Sequence, residues 1–217
     1  MLSALSLGAT LYMPATRPDL WAVVKGEKYP ELRSLVICLE DAITEQEIEF
    51  AKQNLKQLLQ QIQQQQRLEQ HPKVFIRPRH IAMAAELAEW QEIIALDGMV
   101  LPKFGLASFE QWLRVLPPEL HYMPTLETTD SFDMGQIKEL RQALPEFHKV
   151  LVLRVGGNDL LNCLALRRPS DMTLYQTPIG TLIANLAGQF LPYGFALSAP
   201  VCEHFSQVKL LQDELYL

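Results

Sequence analysis

Val74-Phe75-Ile76-Arg77-Pro78-Arg79, a helical pattern over Ile81–Ile94, then Gly98-Met99-Val100-Leu101-Pro102-Lys103: this stretch decides the fold. Both apolar runs are short and continuous instead of alternating, the pattern of strands buried on both faces of a parallel sheet. Between them Ile81, Ala84, Leu87, Trp90 and Ile94 recur at the spacing of one buried helix face. The expected unit is strand, crossover helix, parallel strand, and each strand runs out into a cation, Arg77 and Lys103.

The same unit repeats outward in both directions. Further strands are expected at Thr10–Met13, Ser34–Leu39, Tyr122–Leu126, Val150–Val155 and Gly194–Ala199. A long helix is expected from Thr44 to about Gln70, with Thr44 and Glu47 as a capping box and Ile48, Ala51, Leu55, Leu58 and Ile62 inward. Its Gln-rich end, from Gln60 to Gln70, reads as a solvated helix end or loop. Other helices are expected over Ser108–Leu116, with Ser108 and Gln111 as a second capping box, and over about Asp133–Leu144. Another begins at Thr177 with Pro178 in the first helical position, and Val201–Leu217 also reads as helical.

Strand starts fall near residues 10, 34, 73, 98, 121, 149 and 194, and four of the six gaps are 23 to 28 residues. That spacing suits a (β/α)₈ barrel, at roughly 30 residues per unit, better than an open nucleotide-binding sheet. The first strand–helix junction, Pro14 to Trp21, carries no Gly-rich dinucleotide fingerprint, and no Walker A motif occurs. The expected fold class is α/β, a TIM (β/α)₈-type barrel in one domain over residues 1–217, with strand eight lacking or borrowed from another chain.

Composition removes several alternatives. With 48% hydrophobic and 20% charged residues the chain can build a full core, which excludes disorder. A net charge of −6 argues against a nucleic-acid surface, and no apolar run nears the roughly 18 residues that cross a bilayer. No Lys or Arg precedes Arg17, so a secretory leader is not expected and the cytoplasm is the expected compartment. Cys38, Cys163 and Cys202 form no C-x-x-C pair and read as reduced thiols, and no two histidines have the helical spacing of a zinc site.

Active groups of such barrels sit at the C-terminal strand ends. Here those ends carry Arg17, Glu40-Asp41, Arg77-Pro78-Arg79, Lys103, Glu127 and Asn158-Asp159. Glu127 and Asp159 are hard oxygen donors suited to Mg²⁺ or Mn²⁺, which keep several waters and take further ligands from substrate. Arg77 can grip a carboxylate through two N–H groups and Lys103 adds a point charge, so a small anionic substrate is expected. An ion pair of Arg77 with Glu40 or Asp41 is the structural alternative, and both can hold. Asn158, beside Asp159, is a further expected substrate contact, and Gly156-Gly157 a place where backbone can approach a ligand.

The series Leu11-Tyr12-Met13-Pro14, Cys38-Leu39-Glu40-Asp41-Ala42, Phe75-Ile76-Arg77-Pro78-Arg79, Asp97 to Lys103, Pro124 to Thr128 and Gly157-Asn158-Asp159-Leu160 resembles the HpcH/HpaI aldolase and citrate lyase β-subunit superfamily. It is most similar to the TIM-barrel carbon–carbon bond lyase branch, some of whose members accompany tellurite-resistance genes. The resemblance implies Glu127 and Asp159 as Mg²⁺ ligands and Arg77 as the carboxylate-binding residue. It also implies that Glu40 and Asp41 order metal-bound water and Arg77, that Lys103 lines the site, and that Arg17 holds a CoA or acyl-carrier phosphate. Two departures stand out. Arg79 replaces an Asn usual in relatives, adding positive charge for substrate, and the Gly-rich final strand of relatives does not occur.

The expected function is Mg²⁺-dependent carbon–carbon lyase or aldolase chemistry on a small carboxylic acid or its CoA thioester, in a homo-oligomer. Asp41, or a group from another chain, is the expected base. The alternative is a diverged barrel that binds an anionic or phosphorylated metabolite, or a partner, without turnover.

Overall fold

A computed structural model of the chain describes residues 2–41, 43–65, 71–147, 149–204 and 206–216. The chain forms two compact units, Met1–Pro102 with Glu110–Met123, and Lys103–Phe109 with Pro124–Leu217.

In the first unit, β1 (Thr10–Pro14), α1 (Leu20–Val24), β2 (Ser34–Cys38), α2 (Ile48–Gln64), β3 (Lys73–Arg77), α3 (Ile81–Ala88) and β4 (Gly98–Leu101) alternate along the chain. β1, β2, β3 and β4 pair in that order, all parallel. Every residue of β2 is buried, as continuous apolar runs require, and its one polar member, Ser34, donates its hydroxyl to the Leu7 carbonyl at 2.8 Å. The buried stripe of α2 is Ala51, Leu55, Leu58, Leu59 and Ile62. Its start is held by the expected box: Glu47 accepts from the Thr44 N–H at 3.0 Å and the Thr44 hydroxyl at 2.6 Å. The helix ends at Gln64, short of the expected Gln70, and residues 66–70 lie outside the described residues.

The helix expected over Ile81–Ile94 is broken. α3 stops at Ala88, Trp90 is extended (ψ 131°), and a 3₁₀ turn covers Gln91–Ala95. The break advances the phase of the buried face, so Ile93 is 3% exposed while Ile94 is 67% exposed.

α4 (Phe109–Val115) and β5 (His121–Leu126) follow. The Ser108–Gln111 capping box does not form: Ser108 Oγ instead accepts from the Gly105 N–H at 3.1 Å, closing a 3₁₀ turn over Leu106–Ser108. The second unit contains α5 (Met134–Ala143), β6 (Leu153–Val155), α6 (Gly157–Cys163), α7 (Pro178–Phe190), β7 (Leu197–Ser198) and α8 (Val208–Tyr216). β5, β6 and β7 are again successive parallel neighbours. Asp133 caps α5 by accepting from the Gly135 and Gln136 N–H groups, and Thr177 caps α7 at Ile179. Phe104, Phe109 and Phe147 meet edge to face with centroids 5.2–6.1 Å apart.

β6 and β7 are shorter than the expected runs, and residues 201–204, 206 and 207 precede α8 without helix. α1 and α6 were not expected from periodicity, because five and seven residues are too few to display it. Seven strands and no eighth are found among the described residues. No helix among them is long and apolar enough to cross a membrane.

Candidate active site

The first unit gathers Glu40, Asp41 and Arg77. Arg77 is the last residue of β3, and Glu40 and Asp41 follow β2, whose Cys38 is in register with Arg77. Arg77 Nε contacts Glu40 Oε2, and its Nη1 lies 3.4 Å from Asp41 Oδ2. Glu40 is buried whereas the Asp41 side chain is 65% exposed. The ion-pair alternative for Arg77 is therefore realised, and it fixes the plane of the guanidinium.

Arg79 is committed elsewhere. Its guanidinium donates to the Ile43 carbonyl, to the Glu40 carbonyl at 3.4 Å and to Glu45 Oε2 at 2.9 Å, and Nε reaches the Leu39 carbonyl at 3.5 Å. The expected substrate contact thus binds the loop that carries Glu40 and Asp41. Arg17 likewise forks onto Asp19, at 2.9 and 2.8 Å, and Asp19 also takes Lys28. Those hydrogen bonds, from Arg17 first and then Lys28, hold the Asp19 carboxyl well below the usual carboxylate range. A phosphate at Arg17 would compete with Asp19. Asn54 of α2, which periodicity could not single out, donates to the carbonyls of Ala15 at 2.6 Å and Arg17 at 3.0 Å and so holds the loop after β1.

The second unit gathers Lys103, Glu127 and Gly156. Glu127, directly after β5, is 3% exposed, and its Oε1 accepts from the Lys103 backbone N–H at 2.7 Å. Lys103 adopts a left-handed φ of 49°, uncommon for a side-chain-bearing residue, and its exposed side chain leaves the backbone to hold Glu127. A Cβ on Gly156 would lie 2.4 Å from Glu127 Oε2, so the carboxylate occupies space that only glycine leaves. Asn158 and Asp159 sit in the first turn of α6. Asn158 Nδ2 donates to Glu203, a partner from the segment after β7 that the sequence did not suggest.

Carboxylate oxygens such as those of Glu127 and Asp159 are of the donor type that fits a hard divalent cation. Asn158 Oδ1 and Thr128 Oγ1, each one residue from a candidate ligand, are buried without a hydrogen-bond partner. Among the described residues no group of three or more His, Cys, Asp or Glu side chains is placed to hold a metal.

The model of a family described as C-C bond lyase of the TIM-barrel fold matches residues 1–217. No curated protein matches the sequence. Among solved structures the chain is similar to RipC from Yersinia pestis, at 20% identity and TM-score 0.64, over 94% of this chain and 80% of that one. It is also similar to the citrate lyase beta subunit of Mycobacterium tuberculosis complexed with oxaloacetate and magnesium, at 17% identity and TM-score 0.67, over 97% of this chain and 86% of that one. A Haloferax volcanii malate synthase in a ternary complex with pyruvate and acetyl-CoA matches at 13% identity and TM-score 0.70, over 95% of this chain and 62% of that one. At these identities the structural matches establish the fold.

Proposed function

We propose, since this chain belongs to the carbon–carbon bond lyase family of the TIM-barrel fold, that it cleaves a carbon–carbon bond in a small hydroxy or keto acid, or its CoA thioester, with Mg²⁺. The observation that carries the reading is the seat of Glu127: a buried carboxylate held by a strained backbone N–H against a glycine that a methyl group would obstruct. Glu127 and Asp159 would hold the cation, Mg²⁺ or Mn²⁺, which when bound supplies Lewis-acid polarisation of a substrate oxygen. Lys103 holds Glu127 through its main chain and presents its ammonium to the solvent side. Arg77, its plane set by Glu40, binds and orients a substrate carboxylate. Asp41 is the solvent-open carboxylate of that group and is the residue we assign to proton exchange.

The fold is shared with proteins whose names record oxaloacetate, acetoacetate and magnesium, which supports the substrate class. The reading takes the protein as a cytoplasmic homo-oligomer, to be checked by fractionation and light scattering.

Titration calorimetry of Mg²⁺ with and without oxaloacetate, on wild type and Glu127→Gln, tests it. Binding that the acid strengthens and the substitution abolishes supports the site, and turnover is then sought in a screen of hydroxy and keto acids and their thioesters. Equal Mg²⁺ binding by both proteins sinks the assignment. Acid binding without turnover of any member of that series favours a diverged, non-catalytic binder.

A further inference from the structure

Asp159 stands in the first turn of α6, a helix of seven residues, too few for its own backbone bonds to hold it rigidly. Its rotation about its axis sets where Asp159 points. Gly156 is the N-cap, and the Leu160 N–H donates to its carbonyl at 3.0 Å. The Cβ direction of Gly156 meets Glu127 Oε2 at 2.4 Å. Residues three apart share a helix face, so Asp159 belongs to the Gly156 side, which is the side of Glu127.

The two residues between them, Gly157 and Asn158, meet the segment after β7. A Cβ on Gly157 would lie 3.1 Å from Pro200 Cβ and 2.3 Å from Leu174 Cδ2, and Asn158 Nδ2 donates to Glu203 Oε1. That segment is itself tied down. Arg168, its side chain 4% exposed, donates to the Val201 carbonyl at 2.7 Å and pairs with Glu214, which accepts from the Leu174 N–H at 2.6 Å. Contact at Gly157 limits how close α6 can come to residues 200–204, and the Asn158–Glu203 bond limits how far it can turn away. A carboxylate only accepts, so Asn158 presents Nδ2 to Glu203 and keeps Oδ1 buried without a hydrogen-bond partner. An amide held in that orientation despite an unsatisfied oxygen is governed by its charge-assisted bond.

We infer that Glu203 is a positioning residue: through Asn158 it fixes the rotation of α6, and with it the placement of Asp159 relative to Glu127. The inference rests on the proposed metal site and adds a residue that tunes it without touching the cation. Partners that orient metal ligands typically change metal affinity by about 10–100-fold.

Calorimetry of Mg²⁺ on the full chain reads the effect. Glu203→Ala should bind Mg²⁺ at least about tenfold more weakly than wild type, whereas Glu203→Gln, whose Oε1 still accepts from Asn158, should stay within about threefold. The urea midpoint should be unchanged in both, as expected for an exposed side chain. Without Mg²⁺, hydrogen exchange at the Leu160 amide should be faster in Glu203→Ala and as in wild type in Glu203→Gln, which reads the first turn directly. If Glu203→Ala does not fold by circular dichroism, Asn158→Ala breaks the same bond from its other end and should show the same loss. Mg²⁺ affinity of the alanine variant within about twofold of wild type overturns the inference. So does an equal loss in Glu203→Ala and Glu203→Gln, which would assign the effect to negative charge alone. In both cases wild-type binding that Glu127→Gln abolishes leaves the metal site standing, whereas no Mg²⁺ binding by wild type overturns both.

Discussion

At the candidate site the close approach of a single residue falls at Gly156. An alanine there would drive its methyl into Glu127 Cβ and Oε2, both 2.4 Å from the ideal Cβ position, and Glu127 is already fixed by Lys103. Gly156→Ala should therefore weaken Mg²⁺ binding at least about tenfold, with a stability loss of about 1–3 kcal/mol from overpacking. Calorimetry and urea unfolding separate the two effects, and unchanged Mg²⁺ affinity would show that Glu127 is not a ligand. At Asp19 the expected effect is on pH dependence. Its carboxyl is depressed by Arg17 and Lys28, so its contribution is present in full above the unfolded value, near 3.9, and is lost as pH falls through the lower folded value. The stability difference between wild type and Asp19→Asn should be constant from about pH 7 to 5 and shrink below about pH 4. Urea unfolding across that range checks it, and a difference constant to pH 3 contradicts the pairing. Residue type was legible in the sequence; commitment was not. Arg17 and Arg79 stand at strand ends as expected, but their partners, Asp19 for the one and the carbonyls of Leu39, Glu40 and Ile43 for the other, left no trace in the sequence.

Among the elements, the C-terminal helix is fastened by charge. Arg168 and Glu214 pair at 2.6 Å with side chains 4% and 6% exposed. Glu214 Oε1 also accepts the Leu174 N–H at 2.6 Å, and Arg168 donates to the Val201 carbonyl at 2.7 Å. One ion pair thus ties α8 to the segment after α6 and the segment after β7. Removing one partner strands a buried charge, so Arg168→Leu should cost about 3 kcal/mol, whereas Arg168→Leu with Glu214→Leu should recover part of it. Urea unfolding of both variants decides, and a loss under 0.5 kcal/mol (roughly the scale of an ordinary surface substitution) would mean the pair is solvated. Neither residue was singled out from the sequence, because a long-range ion pair leaves no periodic trace. The strands were legible for the opposite reason: burial on both faces makes a run apolar throughout, as in β2 and β4. Helix phase was less so. A break at Trp90 shifted which isoleucine is inside, and the short α6 hid that Asp159 stands in a helical first turn.

At the scale of the molecule, a chain of net charge −6 carries its candidate site groups in two separate places in the sequence, and the two compact units divide them. Glu40, Asp41 and Arg77 belong to the first, Lys103, Glu127, Asn158 and Asp159 to the second. The proposed metal ligands thus come from one unit alone, which makes the effect of Mg²⁺ without substrate separable from that of the acid. A ligand that binds only the folded state at about 100 times its Kd stabilises it by about 2.7 kcal/mol, or roughly a hundredfold in exchange protection where amides open by unfolding. The amides of Lys103, bonded to Glu127, and of Gly156, bonded to the Leu126 carbonyl, are the local reporters. Saturating Mg²⁺ alone should slow their hydrogen exchange in wild type and equally in Arg77→Gln, whose lost guanidinium belongs to the acid-binding group. Glu127→Gln should abolish the protection. Loss of the Mg²⁺ effect in Arg77→Gln would instead overturn the assignment of the cation to Glu127 and Asp159 alone, because that substitution touches neither residue.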